Sequence, residues 1–221
     1  MALKPLPEDT FRHKGLRKNL IRELEERRVA SRSVLEAIGR VPRHLFVEDS
    51  LFDKKAYEDI AFPIGVGQTI SQPTTVAIQT ELLQVQKDMK ILEVGTGSGY
   101  QAAVLIELGI KVFSIERQKV LYDKTSLLLP KLGYSAKLFY GDGYKGIPAY
   151  APFDRVIVTA GAPDIPEALI AQLKTGGIMV IPVGSDANQT MMVVHKLSES
   201  EWEIREAGKF SFVPMLHHTA R

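Results

Sequence analysis

Three glycines at alternate positions, Gly95, Gly97 and Gly99, break an apolar run in the segment Ile91-Leu-Glu-Val-Gly-Thr-Gly-Ser-Gly-Tyr100. Glycine lets a chain turn sharply and bring bare backbone against a ligand, so this spacing suits a platform for a nucleotide-like molecule. Glu116 follows 21 residues after Gly95. An acid at that distance is placed to accept hydrogen bonds from two ribose hydroxyls. A second polar segment, Gln68-Thr-Ile-Ser-Gln-Pro73, lies about twenty residues before the glycines and carries Ser71. It is close enough in sequence to fold over the turn. Asp142, within Gly141-Asp-Gly143, could accept from an adenine amino group, although the same residues alone also make an ordinary Asp-Gly turn.

These residues need an α/β frame to hold them. Ile91–Val94 is short, apolar and β-branched at both ends, as suits a strand buried on both faces. Tyr100 to Leu108 follows as a helix with Gly109 as its C-terminal stop, and the helix N-terminus aims free N–H groups at the ligand. Lys111–Ile115 is a second strand ending at Glu116. Ala136–Tyr140 is a third, leading to Asp142 at the carboxyl edge where open α/β sheets bind ligands. Phe153–Val158 is a fourth strand, opening onto Thr159-Ala-Gly-Ala-Pro163. A helix over about Pro166–Leu173, a turn at Thr175-Gly-Gly177 and a fifth strand at Ile178–Pro182 come next. Met191–Lys196, Trp202–Glu206 and Lys209–Val213 then read as three antiparallel strands. Core packing is expected for Trp202, Phe210 and Phe212, and Phe212-Val-Pro214 offers an edge to an extended peptide.

At the other end, residues 1–10 contain prolines and are expected to be poorly ordered. Residues 15–30 carry Leu16, Leu20, Ile21 and Leu24 at helical spacing, and a second helix is expected near Ser33–Ile38. A third, from Pro73 to Leu83, gives Ser71 an alternative role as its N-cap.

The glycine turn fits a dinucleotide or S-adenosylmethionine. A dinucleotide pattern needs glycine or alanine where Tyr100 stands. Glu93, directly before the turn, would also set its negative charge against a pyrophosphate. S-adenosylmethionine has no phosphate and carries a positive sulfonium and an ammonium, so an acidic turn favours it.

Taken together, Val41-Pro-Arg-His-Leu-Phe-Val47, Gly67-Gln-Thr-Ile-Ser-Gln-Pro73, Leu92-Glu-Val-Gly-Thr-Gly-Ser-Gly-Tyr100, Ser114-Ile-Glu116, Gly141-Asp-Gly143, Leu173-Lys-Thr-Gly-Gly177 and Ile181-Pro-Val-Gly184 resemble the protein-L-isoaspartate O-methyltransferases from about residue 14 to about residue 214. The glycine turn is shared by many S-adenosylmethionine enzymes, whereas the Gln68–Pro73 loop is much more specific. The resemblance implies an α/β, Rossmann-like methyltransferase fold: a mostly parallel sheet with antiparallel C-terminal strands and an N-terminal helical segment. It implies Ser71 as the active-site serine. Thr69, Ile70, Ser71, Glu93, Gly95, Thr96, Gly97, Gly99, Glu116, Arg117, Asp142 and Gly143 form the expected cofactor set. One departure is the tail Phe212-Val-Pro-Met-Leu-His-His218, where many relatives have Leu-Thr-Gly after the proline.

The implied reaction moves the sulfonium methyl to the free carboxylate of an isoaspartyl residue. A carboxylate, with a reference pKa of about 4, is already ionised at neutral pH and needs no general base. Ser71 then serves as a hydroxyl that positions it, since no Gly-x-Ser-x-Gly elbow makes the serine a nucleophile. Two other readings stay open at this stage. One is a methyltransferase of RNA or a small molecule, and the other a non-catalytic peptide-binding adaptor.

The whole chain sets bounds. Its 221 residues, 45% hydrophobic and 24% charged, suit one α/β domain. Within it we expect N-terminal helices and the active-site loop at 1–80, the cofactor-binding core at 81–185 and the C-terminal strands at 186–221. The absence of cysteine excludes disulfides, thiolate metal sites and a cysteine nucleophile. His13, His44, His195, His217 and His218 show no metal-ligand spacing apart from the adjacent last pair, and no metal is expected. Basic residues Arg12, Lys14, Arg17, Lys18, Arg22, Arg27, Arg28 and Arg32 face Glu23, Glu25 and Glu26, which reads as a solvated helix face. With a net charge of +2, no apolar N-terminal leader and no membrane-length run, a cytoplasmic monomer is expected, with isoaspartyl proteins and peptides as partners and neither nucleic acid nor membrane.

Overall fold

A computed structural model describes residues 7–47, 55–185 and 188–220. The chain enters through α1 (Phe11–Glu26) and α2 (Arg32–Arg40). A hairpin of β1 (Phe62–Gly65) and β2 (Gln68–Ile70) leads to α3 (Pro73–Leu82). Strands and helices then alternate through β3 (Lys90–Val94), α4 (Tyr100–Glu107), β4 (Lys111–Glu116), α5 (Lys119–Lys131) and β5 (Lys137–Tyr140). After β6 (Phe153–Val158), α6 (Glu167–Ala171) and β7 (Leu173–Val183), the chain closes on β8 (Gln189–Lys196) and β9 (Trp202–Phe210).

The seven-stranded sheet has the order β5-β4-β3-β6-β7-β8-β9. Its first five strands run parallel, and the β7–β8 and β8–β9 pairings are antiparallel. From β3 the chain winds outward through β4 and β5, then crosses back to begin the other half at β6. The point between β3 and β6 is therefore where strand order reverses, and ligands of open α/β sheets bind outside the carboxyl ends there. Gly95 follows β3 and Thr159 follows β6 at this point.

Burial explains why the central runs are strands. Ile91, Leu92, Val156, Ile157 and Val158 are completely buried, one set of alternate side chains entering the core under α1–α5 and the other entering the core under α6. Fully burying such a side chain contributes about 1.5–3 kcal/mol. Tyr100 fills the space that a third motif glycine would leave open. Its ring packs edge-on to Phe46 with centroids 5.6 Å apart, and the Arg43 guanidinium lies 4.7 Å from its centre.

Several boundaries differ from the sequence reading, each for a physical reason. α1 begins at Phe11, earlier than residue 15, because Thr10 and His13 form a reciprocal capping box. The expectation for residues 1–6 lies outside the described residues. Thr175-Gly-Gly177 is inside β7, where pairing jumps from Phe153–Leu173 to Arg155–Ile178 and the extra residues bulge out. The expected three C-terminal strands are two. Gly208, at φ +98°, absorbs one extra residue as a bulge and lets β9 continue. Trp202, expected in the core, stands 39% exposed on this outer strand.

Candidate active site

Three chain segments converge on the reversal point. The glycine turn comes from β3, Thr159 from β6, and the β1–β2 hairpin with Ser71 from the N-terminal region. They enclose one cavity walled by Thr69, Gly95, Gly97, Glu116 and Gly143, and an adjoining one walled by Thr69, Ile70, Ser71, Thr96, Gly97 and Gln101. Thr69, Gly95, Gly97 and Thr159 belong to both, so the two are halves of one cleft.

The turn is held from below by the neighbouring strands. The Gly95 N–H donates to Ile115 O at 2.9 Å, and the Thr159 hydroxyl donates to Val94 O and Gly95 O at 3.1 and 2.7 Å. Gly95 is at φ +97°, and a Cβ there would stand 2.5 Å from Thr159 Oγ1. Both the left-handed backbone and the close approach require glycine. Gly99, the N-cap of α4, is different: a Cβ would meet the Thr125 methyl at 2.7 Å. It packs two helices together and does not wall either half of the cleft.

Glu116 ends β4 with its carboxylate in the cleft wall, 5% exposed. One oxygen accepts the Gly97 N–H and the other the Gln118 N–H, each at 2.8 Å. Burial raises its pKa, and those backbone bonds offset part of the rise. A carboxylate offers about four acceptor positions, so room remains for a diol.

Glu93 is placed otherwise than its proximity to the turn suggested. It is completely buried beneath the glycines and walls neither half of the cleft. Ser114 donates to it at 2.5 Å, and Thr96 joins Ser114 at 2.6 Å. Burial pushes its carboxyl up to about 8, Glu116 adding to the rise. At neutral pH it is a protonated strut, so the charge complementarity expected of it is absent.

Asp142 and Arg117 are both engaged by the C-terminal tail. Asp142 accepts the Tyr144 N–H and the His218 N–H, each at 3.0 Å, so it caps a short turn and pins the tail at once. Arg117 lines the cleft, and its guanidinium donates to His218 O at 2.9 Å. Residues 213–220 thus form a strap along this edge. Val213 O accepts from Gly161, Met215 N–H donates to Gly161 O, and Val213–Leu216 supply a wall of the cleft. The peptide-docking edge expected at Phe212–Pro214 is therefore already paired with Gly161 on one side. The Tyr144 and His217 rings stack at 3.8 Å.

Ser71 is half-buried at the cleft mouth, between β2 and α3. Its alternative role as the α3 N-cap is not taken up: Gln72 occupies that position without a side-chain cap. The sequence reading missed Thr159 and the ties of the tail to Asp142, Arg117 and Gly161. Thr159 could have been found by the rule that singled out Asp142, since it too follows the carboxyl end of a strand. Away from the cleft, ligand atoms of Asp9, His13 and His44 lie within 4.8 Å of one another, but Arg17 donates to both Asp9 oxygens.

Comparison with known proteins agrees with this geometry. The family model described as protein-L-isoaspartate (D-aspartate) O-methyltransferase matches residues 15–220. A protein-L-isoaspartate O-methyltransferase of Flavobacterium psychrophilum is 58% identical over 209 residues, 94% of this chain and 97% of that one. One from Salinibacter ruber is 47% identical, covering 95% of each. A solved protein-L-isoaspartate O-methyltransferase superposes with a TM-score of 0.82 at 28% identity, over 90% of this chain and 65% of that one, so this chain spans about two thirds of its length. A Plasmodium falciparum structure, described as a putative member in complex with S-adenosyl-L-homocysteine, shares the fold with a TM-score of 0.78 at 24% identity. The chain belongs to the protein-L-isoaspartate (D-aspartate) O-methyltransferase family.

Proposed function

We propose that Ser71 orients the carboxylate of an isoaspartyl residue in a cleft whose glycine turn, Glu116 and strap hold S-adenosylmethionine. The protein is a carboxyl methyltransferase that esterifies the free carboxylate of isoaspartyl residues in damaged proteins and peptides, the first step of their repair. The donor groups present fit the cofactor. Glu116 keeps acceptor positions for the ribose hydroxyls, and Gly97 and Gly143 leave bare backbone in the wall, where a Cβ at Gly143 would stand 2.6 Å from Val94.

When bound, S-adenosylmethionine supplies a methyl group on a positive sulfur that a carboxylate displaces directly. The chain's own task is alignment and exclusion of water. Among the described residues, Glu116, Arg117 and Tyr100 are the titratable residues lining the cleft. The ionised acceptor needs no base, and orientation alone can supply roughly 7–11 kcal/mol. Ser71 donates one hydrogen bond to the carboxylate and fixes which oxygen faces the methyl.

The observation that carries this reading is the Ser71 hydroxyl itself. Among the described residues no hydrogen bond engages it, and it faces the same cavity as Gly97. The test is methyl transfer from labelled S-adenosylmethionine to two peptides differing only in an isoaspartyl or a normal aspartyl linkage. Base-labile methyl is expected on the isoaspartyl peptide alone. Ser71→Ala should lower turnover by about 10-fold or more while cofactor affinity stays within a few-fold, as for loss of a group that orients the acceptor. Equal losses in both would make Ser71 a cofactor residue instead. No helix among the described residues is long and apolar enough to cross a membrane. We place the enzyme in the cytoplasm as a monomer of one domain, acting on proteins and not on nucleic acid.

A further inference from the structure

The start of α3, two residues beyond Ser71, is capped from a distance. Pro73 occupies the first helical position, so Thr74 provides the first free N–H of the helix. That N–H donates to Asp59 Oδ1 at 2.8 Å, and the Thr74 hydroxyl donates to Asp59 Oδ2 at 2.5 Å. Arg27, at the end of α1, donates to the same Oδ2 at 2.8 Å. Asp59 thereby performs the task that serine, threonine or asparagine performs at an N-cap, from 15 residues upstream.

The turn carrying Asp59 is itself anchored. Arg43, completely buried, donates from Nε to Ala56 O at 2.9 Å and from Nη2 to Ile60 O at 3.3 Å. Burial raises the Asp59 carboxyl, but the Thr74 and Arg27 hydrogen bonds outweigh it and hold the group below its ordinary range. A carboxylate at a helix N-terminus also faces the positive end of the helix dipole.

We propose that Asp59 is a positioning residue for the reaction. By capping α3 in place of Ser71, it keeps the Ser71 hydroxyl free for the substrate carboxylate. Without it, the Thr74 N–H and hydroxyl lose their acceptor, and Ser71 is the nearest preceding hydroxyl able to replace it. A serine drawn onto the helix start points away from the substrate. This inference rests on the role of Ser71 proposed above.

The experiment is a two-by-two comparison of wild type, Asp59→Ala, Ser71→Ala and the double variant. Turnover and KM for an isoaspartyl peptide are measured together with the dissociation constant for S-adenosylmethionine. Asp59→Ala should lower peptide turnover by about 10-fold, the scale of a misplaced acceptor, with cofactor affinity within about 3-fold. In the Ser71→Ala background the same change should cost less than about 2-fold, because residues acting through one another are not additive. Losses that multiply would overturn the proposal and leave Asp59 a purely structural cap. An unchanged Ser71→Ala enzyme would instead overturn the serine's role. Asp59→Asn, which keeps an oxygen for the Thr74 N–H, replaces the alanine variant if that chain fails to fold. It should retain more turnover than Asp59→Ala when both fold, and an equal or larger loss would count against the cap.

Discussion

The two sides of the cleft are built in opposite ways. The glycine-turn side is held by the buried strands it sits on: the Gly95 N–H to Ile115 O, the Gly97 N–H to the Glu116 carboxylate, and the Thr159 hydroxyl to Val94 O and Gly95 O. It sits on the most buried strands of the sheet. The strap side runs over the surface with only Met215 buried, and partners from distant segments hold it: Asp142, Arg117, Tyr144 and Gly161. A side built into the sheet opens only when the sheet does. A side tied by a few exposed bonds can open alone, because local opening free energies span the whole range from about zero to global stability. The difference locates rigidity at the glycine turn and Glu116 and compliance at the opposite wall.

The strongest test of the rigid side concerns its underside. Burial pushes the Glu93 carboxyl from its ordinary 4.5 up to about 8. Between those values the folded chain binds a proton that the unfolded chain releases. Its contribution is therefore fully present below pH 4.5 and is lost as pH rises through about 8. The slope approaches about 1.4 kcal/mol per pH unit at most. Glu93→Gln, a neutral mimic of the protonated acid, should flatten stability over this window and make the chain more stable than wild type at pH 8–9. Denaturant melts at several pH values read it, and parallel curves for the two proteins would show that Glu93 is not the protonated strut.

Next in size is Glu116→Gln. The amide loses the charge and presents an NH2 to one of the two backbone donors, so cofactor affinity should weaken by roughly 1–3 kcal/mol, the range for charge-assisted hydrogen bonds. Calorimetric titration with S-adenosylhomocysteine measures it. An unaltered affinity would remove Glu116 from the ribose site.

The same division governs what the sequence disclosed. The glycine turn, the following helix and Glu116 obey short-range rules, and β6 is found where its apolar run places it. Ser71 was legible as a polar residue ahead of a helix, but the choice between cap and free hydroxyl was not. Asp59 decides it, and nothing about a lone aspartate 15 residues before Thr74 signals a cap. Asp142 was legible as an acid at a strand end, whereas its bond to His218, 76 residues away, depends on the path of the tail. Glu93 was read as a charge because a sequence gives no burial. Two strands were read where β9 runs on, because the bulge at Gly208 needs a partner strand to be seen.

Arg117 lies where the two sides meet, and it separates them with the smallest effect. Its guanidinium donates to His218 O at 2.9 Å and to His217 O at 3.5 Å. Its backbone carbonyl independently accepts from Ala220. Arg117→Ala removes the side-chain ties and spares the backbone one. Half-exposed hydrogen bonds of this kind contribute about 0.5–1.5 kcal/mol, so amide exchange at Met215 and His218 should accelerate by about 3–10-fold. Exchange at Gly95 and Gly97, held by β4, should not change. Cofactor affinity should fall less than in Glu116→Gln, because the strap wall loosens while the ribose acceptor stays in place. If affinity falls as far as in Glu116→Gln with strap exchange unchanged, Arg117 touches the cofactor directly and the strap is anchored by its other bonds. Faster exchange on both sides would mean that the strap is mechanically part of the turn and that the cleft opens as one unit.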